Sequence, residues 1–450
     1  MKYRNLLRSV VFLLVLAIAV LSIQVVFSNG MQQQNYDMLR GFDLEKKGRL
    51  DGVYIGSSNV HYFWQPLMGW SDHGIAVWNY ATSSMAAATV KYYLMQAHKR
   101  QPDALYIISI NTFKYLTSEV NEPKRLHYSL DYFPWSINRL KATHDLVNRS
   151  PDKGLAALEY YLPIIRFHSR WSKLETWELG GPDNSYKATR SSGDFLTHSI
   201  VMPKDFSVTD AREPLSDDMA TLIGELLDYC DANRVNALFV KCPQNLSAEE
   251  QGRLNTILDI AAERGYPGLD LMQGLDETGI DLRMDYVDDK HTNVHGSLKY
   301  SKVLGDYLVE NYHFEDKRGR ADWSDWDSAA LKYTGQISGV TLPIEREHAP
   351  RTLTEVPELR TPRVDGQSIM VRWRAADAVD GYEIFRKPDA SGKAAWQSVG
   401  RVGPEDLEWL DEGLSPNTKY TYTVVPYCEE NGETLYGSFK FKGVSARTEK

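Results

Sequence analysis

The sequence predicts an α/β domain on a parallel sheet, followed by an all-β sandwich and preceded by a membrane-spanning helix. Three observations carry this expectation. Short apolar runs such as Val53–Ile55 and Ala104–Ile110 end at turn residues and alternate with helical patterns, the rhythm of an α/β layer architecture. From Val356 onward the pattern changes to alternating strands separated by turns. At the N-terminus, an uncharged and mostly apolar run extends from Ser9 to Phe27.

That N-terminal run is long enough, at 1.5 Å per helical residue, to cover about 28 Å of bilayer. A cleaved signal peptide has a shorter apolar core, about 7–15 residues, followed by an A-x-A-like site. Here the run closes on Val-Phe-Ser-Asn-Gly, which favours an uncleaved anchor over residues 1–30; secretion after cleavage is the alternative. Lys2, Arg4 and Arg8 precede the span and no basic residue follows until Arg40. The positive-inside rule therefore places the rest of the chain outside the cytoplasm.

The α/β domain is expected over residues 48–315. Gly52–Asn59, G-V-Y-I-G-S-S-N, reads as a buried strand running into a turn with two serines. Ligand crevices of parallel sheets lie at the carboxyl ends of the strands, where those serines fall. An aromatic loop, His61–Trp70, comes next, then a strand at Ile75–Asn79 and a helix at Ser83–His98. Ala104–Ile110 is a buried strand ending at Asn111. Residues 120–210 break the rhythm and read as a partly helical insertion, with Arg166, His168 and Arg170 available to an anionic or sugar substrate. The rhythm returns with a helix at Ser216–Asp231, a strand at Ala237–Lys241 and a helix at Ser247–Arg264 carrying a capping box. A short strand at Leu269–Met272 and a final helix from about Gly296 to Tyr312 complete the domain.

Residues 316–355 are charged, contain Gly, Pro and Ser, and lack sustained periodicity, so they read as a linker. Over residues 356–450, roughly seven short strands in about 95 residues predict a sandwich. Ser368–Trp373, Gly381–Lys387 and Lys419–Tyr427 alternate, with turn signals at Asp389–Gly392 and Ser415–Asn417. Leu-Ser-Pro-Asn-Thr-Lys-Tyr at 414–420, with Trp373 and Tyr382, resembles a fibronectin type III domain. That resemblance implies adhesion or spacing and no chemistry.

A net charge of −9 argues against a general nucleic-acid binder. Three cysteines, Cys230, Cys242 and Cys428, have neither disulfide-scaffold nor zinc-module spacing. A serine in the turn after the Gly52–Gly56 strand is well placed to present its hydroxyl as a nucleophile. A serine nucleophile needs a base and a group that fixes the tautomer of that base. Asp288 and His291, three apart before the last helix, can supply both to Ser58. Asn111, after a buried strand, can present an amide to an oxyanion, and Asn79 or Ala81 a backbone N–H. His291 and His295 also stand four apart, the spacing of two metal ligands on one helix face, but Thr292-Asn293-Val294 lacks the glutamate of H-E-x-x-H. No metal or other cofactor is expected.

In this order the motifs resemble the SGNH (GDSL-like) hydrolase superfamily over about residues 50–312. Gly56-Ser57-Ser58 stands where the family has Gly-Asp-Ser, which makes Ser58 the matching nucleophile and leaves Ser57 as the alternative. Ala81 stands near the oxyanion glycine, Asn111 matches the asparagine of Gly-x-Asn-Asp, and Asp288 to His291 match Asp-x-x-His. The resemblance implies a three-layer, flavodoxin-like fold. With the anchor, and with Asn293 and Gly296 after the histidine, the chain looks like D-alanyl transfer proteins and alginate-type O-acetyltransferases. Such a relationship implies acyl transfer to, or removal from, a cell-envelope polysaccharide or other glycan beside a membrane-bound O-acyltransferase. The contrasting expectation is a non-catalytic glycan-binding or cell-surface interaction protein with a degenerate SGNH domain.

Overall fold

The computed structural model describes residues 2–28, 33–174, 185–192, 208–280, 285–288, 290–347, 356–388, 396–430, 433–437, 439–440 and 442–450. Helix α1 (Lys2–Ser28) is long and apolar enough to cross a membrane or to act as a signal sequence. Helix α2 (Gln33–Leu44) follows and buries Met38, Leu39 and Phe42.

Strand β1 (Gly52–Gly56) is buried at every position, as its unbroken apolar run requires. Each fully buried Val or Ile there contributes about 1.5–3 kcal/mol of transfer free energy. Next come α3 (Ser58–Phe63), α4 (Pro66–His73), β2 (Val77–Ala81), α5 (Val90–Arg100) and β3 (Leu105–Ser109). The stretch expected as an aromatic loop is thus two short helices. The helix expected from Ser83 starts at Val90, after a 3-10 turn at Ala87–Thr89, because Ser84 adopts φ +56° and breaks the helical path.

The insertion is helical where described: α6 (Pro123–Leu130), α7 (Ile137–Arg149), α8 (Leu155–Tyr161), α9 (Pro163–Phe167), a 3-10 turn at His168–Lys173, and α10 (Ser185–Thr189). Then follow α11 (Asp217–Asn233), β4 (Ala237–Lys241), α12 (Ala248–Glu263), β5 (Gly268–Asp270), α13 (Leu275–Thr278) and α14 (Val294–Tyr312). Ser216 caps α11 by accepting from the Met219 N–H at 3.2 Å. Ser247 and Glu250 form both halves of the predicted capping box on α12.

The five strands form one parallel sheet in the order β2-β1-β3-β4-β5. In this order winding reverses between β1 and β3, and the crevice beyond their carboxyl ends is the general ligand position. One face of the sheet packs on residues from α5, α7, α11 and α12, the other on α3 and α14.

Residues 316–355, expected to be a linker, carry helix α15 (Ser324–Glu347). It packs on α4, and Trp323 and Trp326 enter the core of the parallel-sheet domain. Trp323, Trp326, Ala330, Tyr333 and Ile337 do recur at helical spacing, but the charged residues among them hide the pattern. After it come β6 (Arg360–Asp365), β7 (Ser368–Arg372), β8 (Gly381–Pro388), β9 (Gln397–Val402), β10 (Glu408–Asp411), β11 (Lys419–Glu430), β12 (Glu433–Tyr436) and β13 (Val444–Arg447). They form two antiparallel sheets, β10-β7-β6 and β12-β11-β8-β9, with β13 paired to β11. Trp373, Tyr382, Ile384 and Tyr422 share the core between them. The turn expected at Asp389–Gly392 lies outside the described residues.

Candidate active site

Ser57 caps the chain's turn from β1 into α3, and Ser58 is the first residue of that helix. The turn is tight because Gly56 has no Cβ. One built there would stand 2.8 Å from both Ser109 Cβ and Val60 Cγ2. The Ser57 N–H donates to Thr112 Oγ1 at 3.1 Å, and Ser57 Oγ accepts from the Met85 N–H at 3.2 Å. Ser58 points the other way: its Oγ lies 2.8 Å from His291 Nε2. Of the two serines, Ser58 faces the histidine.

Behind α3 the site rests on a buried polar network. Tyr54 OH lies 2.8 Å from Tyr300 OH and 3.2 Å from Cys242 Sγ. Asn59 bonds to Ser109 Oγ and to Cys242 Sγ. Burial pushes the Cys242 thiol up, so it stays protonated and serves as a small packed group. His61 is buried on the same helix. Burial, and then the charge of His291, hold its imidazole well below the ordinary range, so it takes up a proton poorly and is no rival base.

His291 sits in the loop before α14. Asp288 Oδ1 accepts from the backbone N–H groups of Lys290 at 2.7 Å and His291 at 2.9 Å. Its Oδ2 lies 2.8 Å from His291 Nδ1, so that nitrogen carries the proton and Nε2 is left to face Ser58. Burial alone would raise the Asp288 pKa. The His291 ring and those two backbone donors outweigh it and hold the carboxyl below its ordinary value. The loop is fixed from four sides. Thr292 Oγ1 donates to the Tyr62 carbonyl at 2.6 Å, and the Tyr62 ring lies 4.3 Å from the His291 ring. The Val287 N–H donates to the His291 carbonyl at 2.9 Å, and Asn293 caps α14. Gly296 lets the helix approach closely: a Cβ there would stand 2.4 Å from the Asp285 carbonyl oxygen.

His291 and His295 do not share a helix face, because α14 begins at Val294. His295 Nδ1 lies 3.2 Å from Asp285 Oδ1, a different carboxylate from the one that holds His291. Among the described residues no cluster of three His, Cys, Asp or Glu has a metal-holding arrangement.

The expected oxyanion donors are placed otherwise. Asn111 lines the same open cleft, but its amide N–H groups go to the Cys242 carbonyl at 3.0 Å and Gln244 Oε1 at 3.1 Å. Its Oδ1 accepts from the Cys242 N–H at 2.7 Å. Gln244 in turn donates to the Lys290 carbonyl at 2.9 Å. Asn111 therefore braces the ends of β3 and β4 against the histidine loop. Ala81 is fully buried in the core beside the sheet and does not line the cleft. The Asn79 N–H goes to Ser191 Oγ at 2.8 Å. The segment after β2 that reaches the serines is Ser84-Met85, displaced along the chain by the turn that Ser84 makes.

Lys114, Arg125 and Lys290 also line the cleft. Arg125 is paired with Glu119 at 2.8 Å and Glu122 at 2.9 Å. Burial lowers the Lys114 pKa to about 8, with the Lys290 charge the next cause. Arg166, His168 and Arg170 lie outside this cleft; Arg166 approaches Asp131 at 3.7 Å and Glu159 at 3.9 Å. Sequence reasoning missed Thr112, Met85 and Gln244. Gln244 was the most accessible of them, since it follows the end of β4 as Asn111 follows β3.

No protein-family model matches the chain, and no curated protein matches it in sequence. Solved fibronectin type III domains match its C-terminal β region. A domain of the human collagen alpha-1(XX) chain is 22% identical, with a TM-score of 0.18, over 22% of this chain and 86% of that one. The FN5 domain of Drosophila Lar is 19% identical, TM-score 0.18, over 22% of this chain and 99% of that one. Chicken CNTN1 FN1-FN3 is 28% identical, TM-score 0.19, over 23% of this chain and 32% of that one. Each of these likenesses covers less than a quarter of the chain.

Proposed function

We propose that the chain is a membrane-anchored, extracytoplasmic serine esterase or O-acyltransferase of SGNH type, acting on acyl groups, O-acetyl above all, of a cell-envelope polysaccharide. The observation that carries the reading is the hydrogen-bonded chain Ser58 Oγ, His291 Nε2, His291 Nδ1, Asp288 Oδ2, with 2.8 Å at each link between residues. The flavodoxin-like strand order, with Ser58 after β1 and Thr112 after β3, supports it by setting the serine at the switch point.

In this scheme Ser58 Oγ attacks the acyl carbonyl carbon while its proton passes to His291 Nε2. Asp288 orients the ring and stabilises the imidazolium. The tetrahedral intermediate collapses as the C–O bond to the leaving alcohol breaks and His291 returns the proton to that oxygen. Water or a sugar hydroxyl then repeats the steps on the acyl-serine, giving hydrolysis or transfer. The backbone N–H of Ser58, one of the first in α3 and so without a partner within the helix, would serve as a donor for the oxyanion. The sandwich fits a fibronectin type III role as a spacer.

The test is acetate release from an acetyl-ester chromogenic substrate by the full chain in detergent. Ser58→Ala and His291→Ala should each lose at least about 10³-fold in kcat/KM. Ser57→Ala should keep most of the activity, because Ser57 Oγ only accepts from Met85. Equal activity of Ser58→Ala and wild type would refute the scheme. A folded wild type that is inert toward both water and glycan acceptors would favour a glycan-binding role.

A further inference from the structure

We infer that the insertion after β3 is a second membrane contact: the face made by α8 and the turn at 168–173 lies in the headgroup region of the bilayer that α1 crosses. Three independent features converge on it. First, α1 lies beside α9 and the 168–173 turn with its side chains from Tyr3 to Ile23 left exposed, so the insertion is the part of the domain next to the apolar helix. Second, the tether is short. Only residues 29–32 separate α1 from α2, and four residues span at most about 14 Å. Asn35, Met38 and Leu39 are already buried in the domain, so it is held against the surface the helix enters.

Third, the side chains there suit an interface. Leu155 and Leu158 on α8 are 63% and 47% exposed, and Trp171 is 72% exposed, whereas Trp64, Trp70, Trp78, Trp323 and Trp326 of the same domain are buried. Lys153 and Lys173 flank them and are exposed. Apolar side chains with tryptophan and lysine at the rim are the composition that partitions into a headgroup layer, with the lysines favouring anionic lipid. Arg125 of the catalytic cleft belongs to the same insertion, on α6, so docking would bring the cleft close to the bilayer. An acyl group supplied from the membrane, or an acceptor held at it, would then reach Ser58 without the enzyme leaving the surface.

The inference rests on α1 being retained as an anchor. Its test uses the full chain with Cys428→Ser and single cysteines at 158, 171 and, as control, 310. Glu310 is exposed on α14, which packs on the opposite face of the sheet. Each is labelled with an environment-sensitive fluorophore and reconstituted in nanodiscs of phosphatidylcholine and phosphatidylglycerol, with and without nitroxide-labelled lipid. Labels at 158 and 171 should shift to the blue and lose most of their emission to nitroxide lipid, while 310 does neither. Labels at 158 and 171 that behave like 310 overturn the inference. A blue shift without lipid quenching also overturns it, since a second protein surface would then cover the face. The intact mass of the membrane-isolated chain separates the two readings. Loss of about thirty N-terminal residues defeats the anchor, whereas an intact chain with unquenched labels defeats only the membrane contact.

Discussion

Asp288 is the residue at which the site's electrostatics are most exposed to test. Its side chain is half exposed, yet it is held ionised by the His291 ring and two backbone N–H groups. Asp288→Asn keeps the size but presents an N–H toward Nδ1, which favours the tautomer with its proton on Nε2. We expect kcat to fall by about 10³–10⁴-fold, with KM little changed, at constant circular dichroism. A fall below tenfold would show that the loop contacts of Tyr62 and Thr292 orient the ring without the carboxylate. The serine, the histidine and the aspartate were legible in the sequence because each is a chemically necessary type at a strand or helix end. The donor set was not. Asn111 was placed correctly after β3, but side-chain direction depends on what the neighbouring strand end offers, and the Cys242 backbone claims it. Ala81 is placed otherwise because the chain that reaches the serines after β2 is Ser84-Met85, farther along, while Ala81 stays in the core.

At the scale of elements, one segment braces the cleft and a second completes the core of the parallel-sheet domain. Buried Glu119 accepts from the Ala87 N–H at 3.2 Å and pairs with Arg125, tying the turn that carries Met85 to helix α6. Burial raises its pKa to about 7, with Arg125 and the Ala87 N–H opposing. The folded state therefore holds a proton that the unfolded chain, at about 4.5, has released. By linkage this contribution to stability is present at low pH and is lost as pH rises through about 7. Urea titrations between pH 5 and 8 should show a decline that Glu119→Gln flattens; an unchanged slope would assign it elsewhere. The second segment is α15. Trp326 is fully buried, 5.4 Å from the Trp70 ring and 6.3 Å from the Trp78 ring, and Trp70 Nε1 donates to Asp327 at 3.0 Å. Trp326→Ala should cost about 3–5 kcal/mol in chemical denaturation. A loss under about 1 kcal/mol would return residues 316–347 to the role of a linker. The parallel strands and the helices α11, α12 and α14 were readable to within a few residues, since unbroken apolar runs and caps mark them. Helix α15 was not, because charged residues stand between the apolar positions that meet α4 and, through Trp326 and Trp78, strand β2.

The whole molecule divides by its cores. The hydrophobic clusters of the parallel-sheet domain use residues up to Ile337, and those of the sandwich use residues from Val356 onward; among the described residues no buried one belongs to both. The change of periodicity at Val356 was visible in the sequence, and the separation of the cores is its consequence. The strands of the two sheets close on each other over one shared face, with Ile384 and Val424 inward, while Phe385 and Val425 form a second cluster with Trp396 and Phe439 on the other face. Thermal unfolding of the full chain in detergent should therefore show two transitions. Trp326→Ala should lower only one of them, and Tyr422→Ala, which empties part of the sandwich core, only the other. Because Ser58, Asp288 and His291 all lie in the first unit, ester hydrolysis should disappear with the transition that Trp326→Ala moves. It should survive heating through the other. A single transition shifted by both substitutions would instead mean that the two units fold as one. The sandwich would then have to be counted among the elements that hold the cleft around Ser58 in shape.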